Sequence, residues 1–158
     1  MISLTESIKH SINERYNSTD ERVFWKWIED LGGEDAIDVI VKSKKKDYVD
    51  FYKLVADLGT TNEEYSKFTE IFFDKTNKML EIIENDEDNG MSDDSCEYAS
   101  WSSPFYGKEK YEKAIKSGDW KSVCNEYDGE HCGYALEMED DYGDWLEENS
   151  IEPKGYAQ

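Results

Sequence analysis

The residues from Thr61 to Ile83 read TNEEYSKFTEIFFDKTNKMLEII and form the most regular pattern in the chain. Their apolar members recur three and four positions apart, which places them on one stripe of an α-helix. Thr61 and Glu64 open the stretch as a capping box, in which each side chain accepts a hydrogen bond from the other residue's backbone N–H. The pattern predicts a long amphipathic helix that buries one side against other helices.

Shorter apolar patterns lie on both sides of this stretch. Helical spacing predicts further helices over Ile2–Tyr16, Val23–Leu31, Tyr48–Leu58 and Tyr111–Ile115. The β-branched cluster Ala36–Val41 fits either a buried strand or a short helix. We prefer the helix, because acidic residues precede the cluster and lysines follow it, which is the order that the helix dipole favours.

Polar residues and glycines indicate where these elements begin and end. Ser18 with Glu21 fits a second capping box, and Ser92 is the expected cap of a helix that follows an acidic loop. Asp128-Gly129 is typical of a turn. The segment Tyr134–Leu146 fits either a last helix or a hairpin strand followed by a helix.

Length and patterning together predict the fold class. With 158 residues and no internal repeat, the chain has the size of one domain. We predict a mainly α, compact multi-helix bundle over residues 1–152, with a short β element as an option near the C-terminal half. Residues 153–158 are expected to form a tail.

The chain is strongly acidic, with a formal net charge of −20, and the charge is uneven. Residues 84–158 carry 21 of the 38 acidic residues but only 6 of the 18 Lys and Arg residues. Such a surface repels nucleic acid and anionic membranes, because binding to phosphate needs Lys and Arg. It favours basic protein surfaces or cations, although a charged surface can also serve solubility alone.

The sequence indicates a cytoplasmic location. Met1–Tyr16 lacks the continuous apolar region of a signal peptide, and no apolar run has the length of a membrane span. The three cysteines, Cys96, Cys124 and Cys132, form no CxxC pair and do not suggest a disulfide framework. We therefore expect reduced thiols.

Candidate catalytic and metal-binding patterns are weak. An EF-hand loop with Gly90 at the sixth position would need Glu at the twelfth, where Cys96 stands. Cys124, His131 and Cys132 lack zinc-ligand spacing, and nearby acidic residues would raise the pKa of either thiol. We predict no catalytic residue, no metal and no cofactor.

One segment, Gly90–Ala114, carries a family pattern. It reads GMSDDSCEY from Gly90, followed by Trp101, Gly107 and YEKA from Tyr111. This string resembles the bacterial domain of unknown function 4240 family, and Phe24-Trp25 is similar to its early aromatic pair. The resemblance implies a compact, largely helical bacterial domain and assigns no activity.

The remaining feature is a set of aromatic residues among acids in the C-terminal half. We expect about two-thirds of these rings to be buried, because a chain with few aliphatic residues must pack its large rings. Tyr142 and Trp145 are the two predicted to be exposed. The predicted partner-binding residues are Glu139, Asp140, Asp141, Tyr142, Asp144, Trp145 and Glu148.

These observations predict a protein-binding module and not an enzyme. Its partner would be a basic protein, such as a nuclease toxin that it neutralises as an inhibitor or immunity-type protein. One alternative is a phage-type DNA mimic that acts against a defence enzyme. Another is a small enzyme or cation-binding domain using the acidic loop, whose candidate residues are Asp86, Asp88, Asp93 and Asp94. The sequence does not indicate an oligomeric state.

Overall fold

The computed structural model describes residues 17–43, 47–137 and 139–157, and these contain eight α-helices and no strand. The α-helices are α1 (Ser18–Leu31), α2 (Glu34–Ser43), α3 (Val49–Asp57), α4 (Asn62–Asn85), α5 (Asp93–Ser100), α6 (Lys108–Ser117), α7 (Glu126–Glu137) and α8 (Glu139–Glu148). Short 3₁₀ helices span Ser103–Tyr106 and Trp120–Ser122. The mainly α prediction is confirmed, and the optional β element is not found in these residues.

The predicted elements agree with these helices at most places. Ala36–Val41 lies within α2, so the preference for a helix there is confirmed. The segment Tyr134–Leu146 is divided between α7 and α8 and contains no strand where it is described. The predicted helix over Ile2–Tyr16 lies outside the described residues.

Helix α4 is the centre of the fold. Its 24 residues extend over about 36 Å, and its buried stripe includes Phe68, Ile71, Phe72, Met79 and Ile83. Helices α1, α5, α6 and α8 all contact it. The apolar stripe of α4 is therefore buried in the core, as its spacing predicts.

The helix caps confirm two predictions and correct one. Glu64 N donates to Thr61 Oγ1 at 3.1 Å, and Thr61 N donates to Glu64 Oε1 at 2.9 Å, so this capping box is present. Ser92 caps α5 by accepting from the backbone of the third helical residue. The predicted box of Ser18 and Glu21 is wrong by one residue, because Asn17 and Asp20 form it.

Helix α7 corrects the predicted turn at Asp128-Gly129, since both residues lie inside the helix. A Cβ at Gly129 would lie 1.8 Å from the carbonyl oxygen of Tyr98, and one at Gly133 would lie 1.8 Å from the Trp101 ring. These glycines let α7 approach α5 at a distance that no side chain permits. A helical glycine at a close packing contact resembles a turn signal in sequence.

Residues 153–157, within the predicted tail, pack on the helices. Gly155 N donates to the Gly59 carbonyl at 2.9 Å, and Tyr156 N and Ala157 N donate to the two carboxylate oxygens of Glu64 at 2.8 and 2.9 Å. Glu64 thus joins the start of α4 to the end of the described chain.

Candidate functional site

Helix α8 has two chemically different sides. Tyr142 and Leu146, one turn apart, are buried in the core. The opposite side carries five carboxylates, and its sequence from Glu139 to Glu148 contains no Lys or Arg. The acidic face, as we call these exposed residues, comprises Asp140, Asp141, Asp144, Glu147 and Glu148.

The buried side of α8 overturns one predicted contact residue. Tyr142 was expected to be exposed, but it is 0% exposed. Its hydroxyl donates to the Thr60 carbonyl at 2.6 Å, and its ring stacks on Tyr65 at 4.5 Å between centroids. Helical spacing pairs Tyr142 with Leu146, so both residues turn inward although acids flank them in sequence.

Trp145 takes an intermediate position. It is half-buried against the core, and its ring lies nearly parallel to that of Tyr142 at 6.4 Å. Within the described ranges, the exposed large aromatic residue is Tyr127, at 51%. Most of the other C-terminal rings are buried or half-buried: Tyr98, Trp101, Phe105, Tyr106, Trp120 and Tyr134.

An aromatic cluster fixes α8 to the helices beneath it. The Tyr65 hydroxyl of α4 donates to the Ala135 carbonyl of α7 at 2.7 Å, and Trp27 Nε1 of α1 donates to Thr60 Oγ1 at 3.0 Å. Thr60 therefore accepts from α1 through its side chain and from Tyr142 through its carbonyl. The bond from Tyr142 thus joins α8 to Thr60, which α1 also holds, while the bond from Tyr65 joins α4 to α7.

One hydroxyl in this cluster differs from the others. Tyr52 of α3 is 1% exposed, and its hydroxyl has no hydrogen-bond partner. Burial raises the pKa of Tyr52 well above its ordinary value, and the negative charges of Asp141 and Asp47 raise it further. The hydroxyl is thus buried, uncharged and close to carboxylates.

A pocket of about 280 Å³ lies at this edge of the acidic face. We call it the α3–α8 pocket, and its lining residues are Asp47, Val49, Tyr52, Asp141, Asp144, Trp145 and Glu148. Within the described part of the chain, no three His, Cys, Asp or Glu side chains form a group that could hold a metal ion. Sequence reasoning missed Asp47 and Tyr52, because helix packing alone brings them to α8.

A wider groove of about 690 Å³ adjoins the other edge of α8. Asp140, Asp144 and Glu147 line it together with Asn62 and Glu152. A Cβ at Gly143 would lie 2.9 Å from the Asn62 side chain, so α8 lies close to the start of α4 here. The acidic face therefore continues into a concave acidic surface.

In the second predicted acidic region, the hydrogen bonds of Asp86 stabilise the fold. Asp86 Oδ2 accepts from Trp120 Nε1 at 2.9 Å, and Asp86 Oδ1 accepts from Asp88 N at 3.0 Å. The bond from Trp120 is the main reason that the pKa of Asp86 lies below its usual value. Asp93 and Asp94 are exposed in the first turn of α5, where acids favour the positive end of the helix dipole.

The cysteine–histidine region does not favour a reactive thiolate. Cys132 is fully buried, and burial followed by the charge of Asp128 raises the pKa of its thiol. Burial raises the pKa of Cys124 to about 12. Tyr48 Oη lies 3.0 Å from His131 Nδ1, so this imidazole nitrogen is hydrogen-bonded to the tyrosine.

Comparison with protein-family models, with curated proteins and with solved structures gives no match. The resemblance of Gly90–Ala114 to the domain of unknown function 4240 family therefore stays a prediction. None of the helices in residues 17–43, 47–137 and 139–157 is long and apolar enough to cross a lipid bilayer.

Proposed function

We propose that this protein is an acidic binding module that docks its acidic face onto a basic protein partner and neutralises it. An inhibitor or immunity-type protein that covers the cationic groove of a nuclease toxin is the form we favour. The observation that carries the proposal is the placement of five exposed carboxylates on one side of α8.

The carboxylates of this face are available to a partner. The ion pairs found among the described residues join Lys26, Lys67, Lys75 and Lys110 to acids of α1 and α2, and none of them involves α8. Acids without internal counterions concentrate negative potential at the surface. Such potential speeds encounter with a positively charged protein and excludes negatively charged ones.

The packing of Tyr142 beneath the acidic face is as important as the charge of the face. Because Tyr142 is hydrogen-bonded and stacked beneath it, α8 keeps its carboxylates in fixed relative positions. A preorganised surface loses less conformational entropy on binding than a flexible acidic segment would. This arrangement supports a specific partner more than general solubility.

The experiment compares two variants with the same change of charge. The face variant carries Asp140→Asn, Asp141→Asn, Asp144→Asn and Glu148→Gln. The control variant carries Glu81→Gln, Glu84→Gln, Glu87→Gln and Asp88→Asn, which are exposed at the far end of α4 and in the loop beyond it. Each immobilised protein is exposed to bacterial lysate at low and at high salt, and retained proteins are identified by mass spectrometry.

The proposal expects wild type and control to retain the same basic protein in stoichiometric amount. The face variant should lose it, and high salt should weaken all binding, because exposed charges are screened within about 8 Å at physiological ionic strength. Equal loss with both variants would mean that total charge, and not this face, is responsible. Equal retention by both would contradict the proposal directly.

A further inference from the structure

We propose that the α3–α8 pocket receives an arginine side chain of the basic partner. This inference rests on the proposed function and adds to it the chemical group that is recognised. Its basis is the conjunction of an unpartnered tyrosine hydroxyl, four carboxylates and a half-buried indole around one cavity.

The Tyr52 hydroxyl is the observation that points to a ligand. Buried polar groups almost always have hydrogen-bond partners, and the exceptions call for an explanation. Tyr65 and Tyr142, in the same aromatic cluster, both donate to backbone carbonyls. Tyr52 alone of these three has no partner for its hydroxyl, and it is the one that lines the pocket.

Tyr52 lines the pocket together with two carboxylates that act on its hydroxyl. Burial is the main cause of the raised pKa of Tyr52, and the charges of Asp141 and Asp47, which both line the pocket, raise it further. In the proposed complex, a donor that enters between these carboxylates bonds to the hydroxyl oxygen of Tyr52.

A guanidinium group suits this set of partners. It has five N–H donors in a planar fork and no acceptor, so it can bond a carboxylate with two donors and offer another to the Tyr52 oxygen. Asp141, Asp144 and Glu148 lie on successive turns of one side of α8 and can supply the carboxylate. An ammonium group is a more strongly hydrated point charge and matches this arrangement less well.

Trp145 also lines the pocket. Its ring centroid lies 6.2 Å from that of Tyr52, and guanidinium groups stack on aromatic faces. Since the Tyr52 hydroxyl is covered in the free protein, the proposed binding requires a neighbouring side chain to move, and we assign that movement to the half-buried Trp145. Binding therefore changes the environment of Trp145.

The test uses capped hexa-arginine and hexa-lysine peptides as probes, with titration calorimetry at low salt. Wild type should bind hexa-arginine about tenfold more tightly than hexa-lysine, which is the effect of one added hydrogen bond to a charged group. Tyr52→Phe should reduce this ratio to about one. The matched control Tyr127→Phe, at an exposed ring away from the pocket, should keep it.

Two further variants test the pocket even if Tyr52→Phe does not fold. Asp141→Asn, on the exposed side of α8, should weaken hexa-arginine binding more than hexa-lysine binding. Trp145→Phe should remove the change in tryptophan fluorescence that hexa-arginine causes in wild type. Circular dichroism spectra establish that each variant is folded.

The outcomes separate this inference from the proposed function. If both peptides bind equally and Tyr52→Phe changes neither affinity, the arginine pocket is refuted while acidic docking stands. If neither peptide binds wild type at low salt, both proposals fail. An arginine preference that is lost in Tyr52→Phe and kept in Tyr127→Phe supports the pocket.

Discussion

The unpartnered hydroxyl of Tyr52 predicts an unusual stability change. In the folded protein this group is removed from water without gaining a hydrogen bond, which costs about 1–3 kcal/mol. The Tyr52→Phe substitution removes the hydroxyl and keeps the ring in place. We therefore expect this variant to be more stable than wild type, by about 1 kcal/mol at the lower end of that cost.

Tyr142→Phe is the matched comparison, because it removes the same atom from a ring of the same cluster. Here the hydroxyl donates to the Thr60 carbonyl at 2.6 Å. Its removal leaves a buried carbonyl without that donor and should cost about 1–3 kcal/mol. The two chemically identical substitutions are thus expected to change stability in opposite directions.

Urea unfolding followed by circular dichroism measures both effects as changes in the free energy of unfolding. For a protein of this size, 1 kcal/mol corresponds to a shift of about 2–4 °C in Tm, so thermal unfolding gives an independent value. Destabilisation of Tyr52→Phe by as much as Tyr142→Phe would show that the Tyr52 hydroxyl has a partner. That result would remove the main support for the arginine pocket.

Two further predictions concern the packing and the pH dependence of the fold. Gly129→Ala should destabilise the protein by about 1–3 kcal/mol or more, because its Cβ would overlap the Tyr98 carbonyl. Gly143→Ala should cost less, since it meets the movable end of the Asn62 side chain, and urea unfolding compares the two. Burial raises the pKa of Glu64, but backbone hydrogen bonds outweigh burial and lower it overall. The contribution of Glu64 to the free energy of unfolding is therefore present above the unfolded pKa and is lost as pH falls through the folded pKa. In a plot of stability against pH, Glu64→Gln should make the decrease on the acid side, the acid limb, less steep.

Each of these has a clear contrary result. Equal unfolding free energies for the two glycine variants would mean that α7 and α5 separate at no greater cost than the movement of the Asn62 side chain. An unchanged acid limb in Glu64→Gln would mean that the bonds to the end of the chain do not depend on the carboxylate charge.

Local patterns in the sequence predict much of the helical structure. The stripe of α4 and the caps at Thr61 and Ser92 depend on residues three or four positions apart, and the structure has them as predicted. The errors arise where distant segments meet. Gly129 resembles a turn residue until the Tyr98 carbonyl is seen against it.

The candidate site shows the same limit. Asp140, Asp141, Asp144 and Glu148 are exposed on α8, where their charge suggested a binding surface. Charge density was a poor guide to Tyr142, since the direction of a helical side chain depends on its position in the turn and not on its neighbours in sequence. The pocket residue Tyr52 is nearly ninety positions from α8, and no local pattern connects them.

The attachment of α8 through distant residues has a consequence for folding. Tyr142 of α8 reaches Thr60 across 82 positions, and Tyr65 of α4 reaches Ala135 of the adjoining helix α7 across 70. Contacts of such high sequence separation require the closure of long loops, which slows their formation. We expect the opening of α8 to break the bond from Tyr142 to Thr60 and to separate the stacked rings of Tyr142 and Tyr65, which removes the acidic face and exposes both rings. A bound partner opposes that opening, so the protection of α8 amides from hydrogen exchange measures occupancy of the face.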